Sequence, residues 1–345
     1  MLLSKTATFG DASSIDEIGD SHPPSSETGR SSGYGAPLTL RPSDDLYGIS
    51  NAPSLQEDDL ESRLVWPVDA LLGEGPVWIG AEAALWFVDI KSGNLHRFDP
   101  ASGERRTIAV GGQPSFVVPR VGGGLLVGSG HAVRPLVGDT LGEPIVTIVM
   151  PAHNRTNDAT VDPSGRLWFG TMDDEETRAS GAVHLLDARG LHAVGGVCTI
   201  TNGPAISPDG HHLYHVDTVA GTIWRFDIRD DVTLNDGAVF ATIAKEDGSP
   251  DGVTIDSEGC LWVALWGGWQ VRRYGPDGAL RAVVKMPCAN VTKIALGGPD
   301  LRTAYVTTAR IGLSDADRAA QPLAGGLFAF EAPAPGIALP GVAIA

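Results

Sequence analysis

The sequence predicts an all-β fold, a six-bladed β-propeller. Three observations lead there. From Leu64 onward short apolar strands alternate with turn residues, and 44 glycines and 24 prolines supply those turns. No stretch carries the long capped periodicity of a helix; SDADRAAQPL (314–323) offers a turn or two. Six strands with a bulky apolar centre recur: ALWFVDI, GLLVGSG, RLWFGTM, HLYHVDT, CLWVALW and TAYVTTA. Their central residues, Trp86, Val127, Trp168, Tyr214, Trp262 and Tyr305, lie 41 to 48 residues apart. A period in the forties with several strands per unit belongs to a propeller, and six markers give six blades.

The elements follow in chain order. Residues 1–62 are polar, rich in Ser, Gly and Pro, and carry eleven acidic against three basic side chains. Such a stretch buries too little apolar surface to offset chain entropy, so it reads as a disordered acidic N-terminal tail. Residues 63–345 form the propeller domain, and a strand near residues 64–68 is expected to join the last blade and close the ring. GNLHRFDP, GAVHLLDA, GTIWRFDI, WQVRRYGP and GGLFAFEA supply further strands after the markers. DPSG (162–165), SPDG (207–210), DSEG (256–259) and GPDG (275–278) read as hairpin turns between first and second strands, with their acids facing solvent.

A second series precedes the markers: EGPVWIG, QPSFVVP, NDATVDP, NGPAISP, DGVTIDS and TKIALGG. Each opens on a polar residue: Glu74, Gln113, Asn157, Asn202, Asp251 and Thr292. The first strand of a propeller blade lines the central channel, so these starts converge on one mouth of it. Asn-Gly, Asp-Gly and Glu-Gly are also ordinary turn formers; what separates these residues from the hairpin acids is their place at the opposite end of the first strand.

Composition narrows the chemistry. A net charge of −17 argues against nucleic acid and anionic membranes as partners. Three scattered cysteines make neither a disulfide framework nor a zinc site and suit a reducing compartment. No apolar run reaches the roughly 18 residues of a membrane span, and the start lacks a secretory apolar core. The expectation is a cytoplasmic protein with a small-molecule ligand and no obligate protein partner. Two carboxylates with amide oxygens are hard ligands suited to Ca²⁺, Mg²⁺, Mn²⁺ or Fe²⁺, with Zn²⁺ admissible. No GxSxG elbow and no His pair at i, i+4 is present. One divalent ion with open positions and a carboxylate base favours hydrolysis of an ester or lactone.

The pieces GEGPVW, FVDI, NRTNDATVDPSGRLWFGTM, ITNGPAISPDGHHLYHVDT, PDGVTIDSEGCLWVALWGG and VTKIALGGPDLRTAYVTTAR, in this order, resemble the regucalcin/gluconolactonase family of sugar lactonases over about residues 63–335. Within it they look most like bacterial xylono- and arabinolactonases. The resemblance implies a metal held by Glu74, Asn202 and Asp251, with Asp251 also the catalytic base. It implies substrate binding by Arg155, Asn157 and an acid after GTM, which points to Glu175, with Glu176 and Asp173 as alternatives. Gln113 and Lys293 are further candidate substrate contacts. The implied activity is hydrolysis of aldono-1,4- or 1,5-lactones to aldonic acids. The competing readings are a calcium-binding regulatory protein using the same ring, and a metal-dependent aryl-ester hydrolase.

Overall fold

The computed structural model of the protein describes residues 60–195 and 197–344; of the tail expected over residues 1–62, residues 1–59 lie outside the described residues. Six antiparallel sheets stand around a channel as a six-bladed propeller. The innermost strands are Gly73–Ile79, Pro114–Pro119, Asn154–Val161, Thr201–Ile206, Ser249–Ile255 and Val291–Gly297, in blades one to six. Each packs against the innermost strands of its two neighbours. Blade six takes its outermost strand from the other end of the propeller domain: Arg63–Trp66 pairs antiparallel with Leu327–Glu331. This is the closing strand expected near residues 64–68, and it ties the first segment to the last blade. Leu60 packs against the wedge between blades five and six, and Ser62 Oγ donates to the Lys285 carbonyl.

The core is divided into six wedges, one at each junction between neighbouring blades. Sheets splayed around an axis leave wedge-shaped gaps that bulky side chains fill. That is why Trp86, Val127, Trp168, Tyr214, Trp262 and Tyr305 recur, and all six are buried in these wedges. The short segment after blade six's second strand forms the helix Asp315–Ala320, started by a capping box between Ser314 and Asp317.

The innermost strand of every blade breaks register against the second strand near its start. A bulge re-aims side chains that regular alternation would send into the sheet faces. The residues paired with the markers are Val77, Val117, Thr160, Ala205, Thr254 and Ala295. Glu74, Asn157, Asn202, Asp251 and Thr292 each stand three residues before their paired residue. In blade two that place belongs to Pro114, and Gln113 is one step out of phase.

The hairpin turns differ from expectation in two respects. GPDG joins the third and fourth strands of blade five, Gln270–Tyr274 and Leu280–Lys285. Asp162 and Asp256 do not face solvent; both are fully buried. Each accepts backbone N–H groups of its own turn and an indole N–H six residues on, from Trp168 (2.8 Å) and Trp262 (3.0 Å) respectively. Asp256 also accepts from Arg273 Nε at 2.8 Å. These acids pin the wedge tryptophans, whereas Asp209 in the SPDG turn is exposed. Replacing Asp256 with Ala strands a buried guanidinium and an indole donor. It is expected to cost about 3 kcal/mol in denaturant unfolding, against less than about 1 kcal/mol for Asp209→Ala. Equal small losses would show that the buried acid contributes no more than a turn.

Candidate metal centre and active site

The mouth where the innermost strands begin opens into a cavity of about 510 Å³. Glu74, Asn202 and Asp251 line it together, from blades one, four and five, with Arg155, Asn157 and Glu176 from blade three. The bulges bring these residues to one place although they are far apart in sequence.

A chain of hydrogen bonds fixes the amides. Arg155 can only donate, and its Nη1 donates to Asn157 Oδ1 at 2.7 Å. Asn157 Nδ2 therefore faces away from Arg155, and it donates to Asn202 Oδ1 (2.9 Å) and to the Thr201 carbonyl (2.8 Å). Asn202 Nδ2 then donates to Thr218 Oγ1 at 2.8 Å. Asn202 Oδ1 keeps one lone pair beyond the one taken by Asn157. Arg155 Nε is held by Asp174 Oδ1 at 2.7 Å, and Asp174 also accepts from Lys91 Nζ (2.6 Å) and Gln113 Nε2 (3.0 Å). Burial alone would raise the Asp174 carboxyl, but these three donors outweigh it and hold it down to about 2.

The two cavity carboxylates are in the opposite condition. Burial, then the negative charge of Asp158, pushes Glu74 up from 4.5 to about 8. Burial, then the charges of Glu74 and Asp158, raises Asp251 well above the usual aspartate range. Among the described residues no cationic side chain pairs with either. Lys293 pairs with Asp158 (2.8 Å) and Arg155 with Asp174. Two buried carboxylates with no ion-pair partner of their own, beside an oriented amide oxygen, form a hard oxygen donor set that a divalent cation fits. Another acidic group, Asp256 with Glu258 and Cys260, does not fit one. It sits at the hairpin end of blade five, and Arg273 already pairs with both acids, at 2.8 and 2.6 Å.

Of the sequence candidates, five gather at this cavity: Glu74, Arg155, Asn157, Asn202 and Asp251. Glu175 does not; it is exposed and pairs with Arg178 at 2.8 Å. The next residue, Glu176, lines the cavity from a left-handed backbone position (φ 58°) rare for a residue with a Cβ. Asp173 is buried and anchors that turn by accepting from the N–H groups of Thr177 and Arg178. Gln113 reaches Asp174 rather than the cavity wall. Lys293 lines a second cavity of about 360 Å³, built by residues farther along the innermost strands. Thr292 Oγ1 donates to the Gly73 carbonyl at 2.6 Å and ties blade six to blade one. Asp174, Lys91 and Thr218 escaped the sequence reading. Asp174 and Thr218 directly follow the second strands Leu167–Asp173 and His212–Asp217, and Lys91 stands two residues past the second strand Ala84–Asp89; that shared place is the signal that would have found them.

The pattern of the family described as SMP-30/Gluconolactonase/LRE-like region matches residues 72–310. A 6-deoxy-6-sulfogluconolactonase of Pseudomonas putida is 35% identical, covering 79% of this chain and 94% of that protein. A pentonolactonase of Haloferax volcanii is 34% identical, with 77% and 92% covered. Among solved structures, a calcium-binding protein, regucalcin, of Agrobacterium tumefaciens superposes with a TM-score of 0.76 at 28% identity, covering 82% of this chain and 98% of the other.

The raised carboxyl of Glu74 has a consequence for stability without metal. The folded protein retains a proton that the unfolded chain releases at 4.5, so this contribution is present at low pH and is lost as pH rises through about 8. Melting of chelator-treated protein should fall between about pH 6.5 and 8 and level off above, clear of the buried His96 and His215, which burial lowers from 6.5 to about 4 and whose opposite contribution is complete by about pH 6.5. Glu74→Gln should flatten the decline, and added divalent metal should reverse it. A melting temperature that rises across this interval would contradict the electrostatic description.

Proposed function

The chain belongs to the SMP-30/gluconolactonase family, and from that premise we propose that it hydrolyses sugar lactones to aldonic acids with one divalent metal ion held by Glu74, Asn202 and Asp251. The protein is a lactonase, a carboxylic ester hydrolase, as its relatives are named. The single observation that carries the metal reading is the pair of buried carboxylates, with no ion-pair partner of their own, beside Asn202 Oδ1. A divalent ion bound there would supply Lewis acidity at a lactone carbonyl.

The chain's own residues do the rest. Asp251 takes the proton of the attacking water on a carboxylate oxygen and delivers it to the departing ring oxygen. Arg155, fixed through Nε and Nη1, has an Nη2 that donates to no protein acceptor among the described residues, leaving it for a substrate oxygen. Asn157 holds Asn202 in the orientation that presents oxygen. Glu176 and Lys91 add polar groups to the wall. We assign the catalytic domain to residues 63–345. The three cysteines are free and buried, and burial raises all three thiols, which accords with a cytoplasmic setting. The identity of the metal is left among Ca²⁺, Zn²⁺, Mn²⁺, Mg²⁺ and Fe²⁺.

A wall this rich in polar groups penalises substrates that leave them unpaired. In metal-loaded wild type, kcat/KM for a pentonolactone should exceed that for γ-butyrolactone by roughly tenfold or more, and both should exceed that for an aryl ester. Asp251→Asn should lower kcat on the pentonolactone by roughly 10²- to 10⁴-fold. Equal wild-type values for the two lactones would remove the sugar assignment. Metal binding without turnover of any lactone would favour a calcium-binding role instead.

A further inference from the structure

One residue beyond the candidate ligands, the innermost strands carry Gly75, Ser115, Asp158, Gly203, Gly252 and Lys293, in blades one to six. Three of the six are glycine. The two charged members come from blades three and six, which face each other across a six-bladed ring. They meet there: Lys293 Nζ lies 2.8 Å from Asp158 Oδ1, with both side chains more than nine-tenths buried. The glycines make room for them. A Cβ on Gly252 would stand 2.5 Å from Lys293 Cβ and 2.6 Å from its Cγ. Gly203, at φ 72°, turns its N–H to Asp158 Oδ2 at 3.3 Å.

This bar divides the channel. Residues before it line the 510 Å³ cavity with the candidate ligands; residues after it, with Lys293 itself, line the 360 Å³ cavity toward the other end. The far end is crossed by the C-terminal segment. Val342 N donates to the Pro119 carbonyl, Ala343 N to Gly165, and Ser257 N to the Pro335 carbonyl. The bar is therefore the floor of the upper cavity, away from bulk solvent.

Its contacts lead to the ligands. Asp158 Oδ2 accepts from the peptide that follows Asn202, and the Lys293 stem rests on the glycine that follows Asp251. Asp158 and Lys293 are also the charges, after burial, that bear most on Glu74. We propose that the Asp158–Lys293 bar is a positioning pair that sets the metal affinity of the centre, with Lys293 withholding the Asp158 carboxylate from the ion. The inference rests on the metal reading given above and deepens it. Asp158 and Lys293 touch neither substrate nor metal; they act through charge and through the two ligand-bearing strands.

Such a pair makes a prediction of opposite signs that a merely structural pair does not. Asp158→Asn leaves a buried ammonium facing the centre, and metal binding should weaken. Lys293→Met leaves a buried carboxylate with no partner, and metal binding should tighten. One unit charge a few ångströms from a divalent ion in a protein interior corresponds to roughly tenfold or more in affinity. The double variant should return to within about threefold of wild type.

The experiment is calorimetric titration of the chelator-treated full chain and the three variants with Mn²⁺. It is paired with the rise in melting temperature that Mn²⁺ produces in each, a readout independent of turnover. That rise should be larger than wild type in Lys293→Met and smaller in Asp158→Asn. Lys293→Gln, which keeps most of the stem's packing, stands in where Lys293→Met does not fold, with the same expected sign. Single variants that both weaken binding, or a double variant as impaired as the worse single, overturn the pair's role while leaving the metal centre intact. Wild-type protein that takes up no divalent ion overturns the metal reading and the bar's role with it.

Discussion

Glu74 and Asp251 are buried in one another's field without a cation of their own, and the propeller is arranged around the consequences. A carboxylate taken out of water is costly, and two in one cavity more so, unless they are protonated or neutralised. The fold spends its cations elsewhere: Arg155 and Lys91 on Asp174, Lys293 on Asp158. The negative charge left over is concentrated where Asn202 presents an oxygen. That arrangement makes little sense as a stabilising device and good sense as a seat for a divalent ion.

The rest of the architecture delivers those two acids and keeps them in place. Six wedges of apolar side chains hold the blades apart at fixed angles, and the strand Arg63–Trp66 locks the ring. A rigid ring is needed because the proposed ligands come from three different blades. The bulge repeated in every innermost strand turns a backbone register into a ring of inward-facing groups. The relay from Arg155 through Asn157 to Asn202 and Thr218 then removes the rotational freedom of two amides, so that pre-organisation is built from donors and acceptors of fixed sense.

Much of this was legible in the sequence because the repeat is strong. The wedge markers fix the period, and the phase of Glu74, Asn157, Asn202 and Asp251 before them follows from it. What was not legible is what depends on contacts across blades. Asp174 gathers Lys91 and Gln113 from 83 and 61 residues away, and no local pattern announces that. Gln113 looked equivalent to Glu74, but counting from the paired residues puts Pro114 in that place. The run DDEE gave no means to tell Glu175 from Glu176, since the choice depends on a left-handed turn that Asp173 anchors. Asp162 and Asp256 passed for solvent-facing turn residues, although a tryptophan six residues after each was a visible sign of burial.

The centre itself is tested most directly by anomalous diffraction from crystals grown with Mn²⁺. The account predicts one strong peak at the channel mouth, roughly 2.0–2.6 Å from carboxylate oxygens of Glu74 and Asp251 and from Asn202 Oδ1. A peak at Asp256 and Glu258, or none near Glu74 at saturating Mn²⁺, would contradict it.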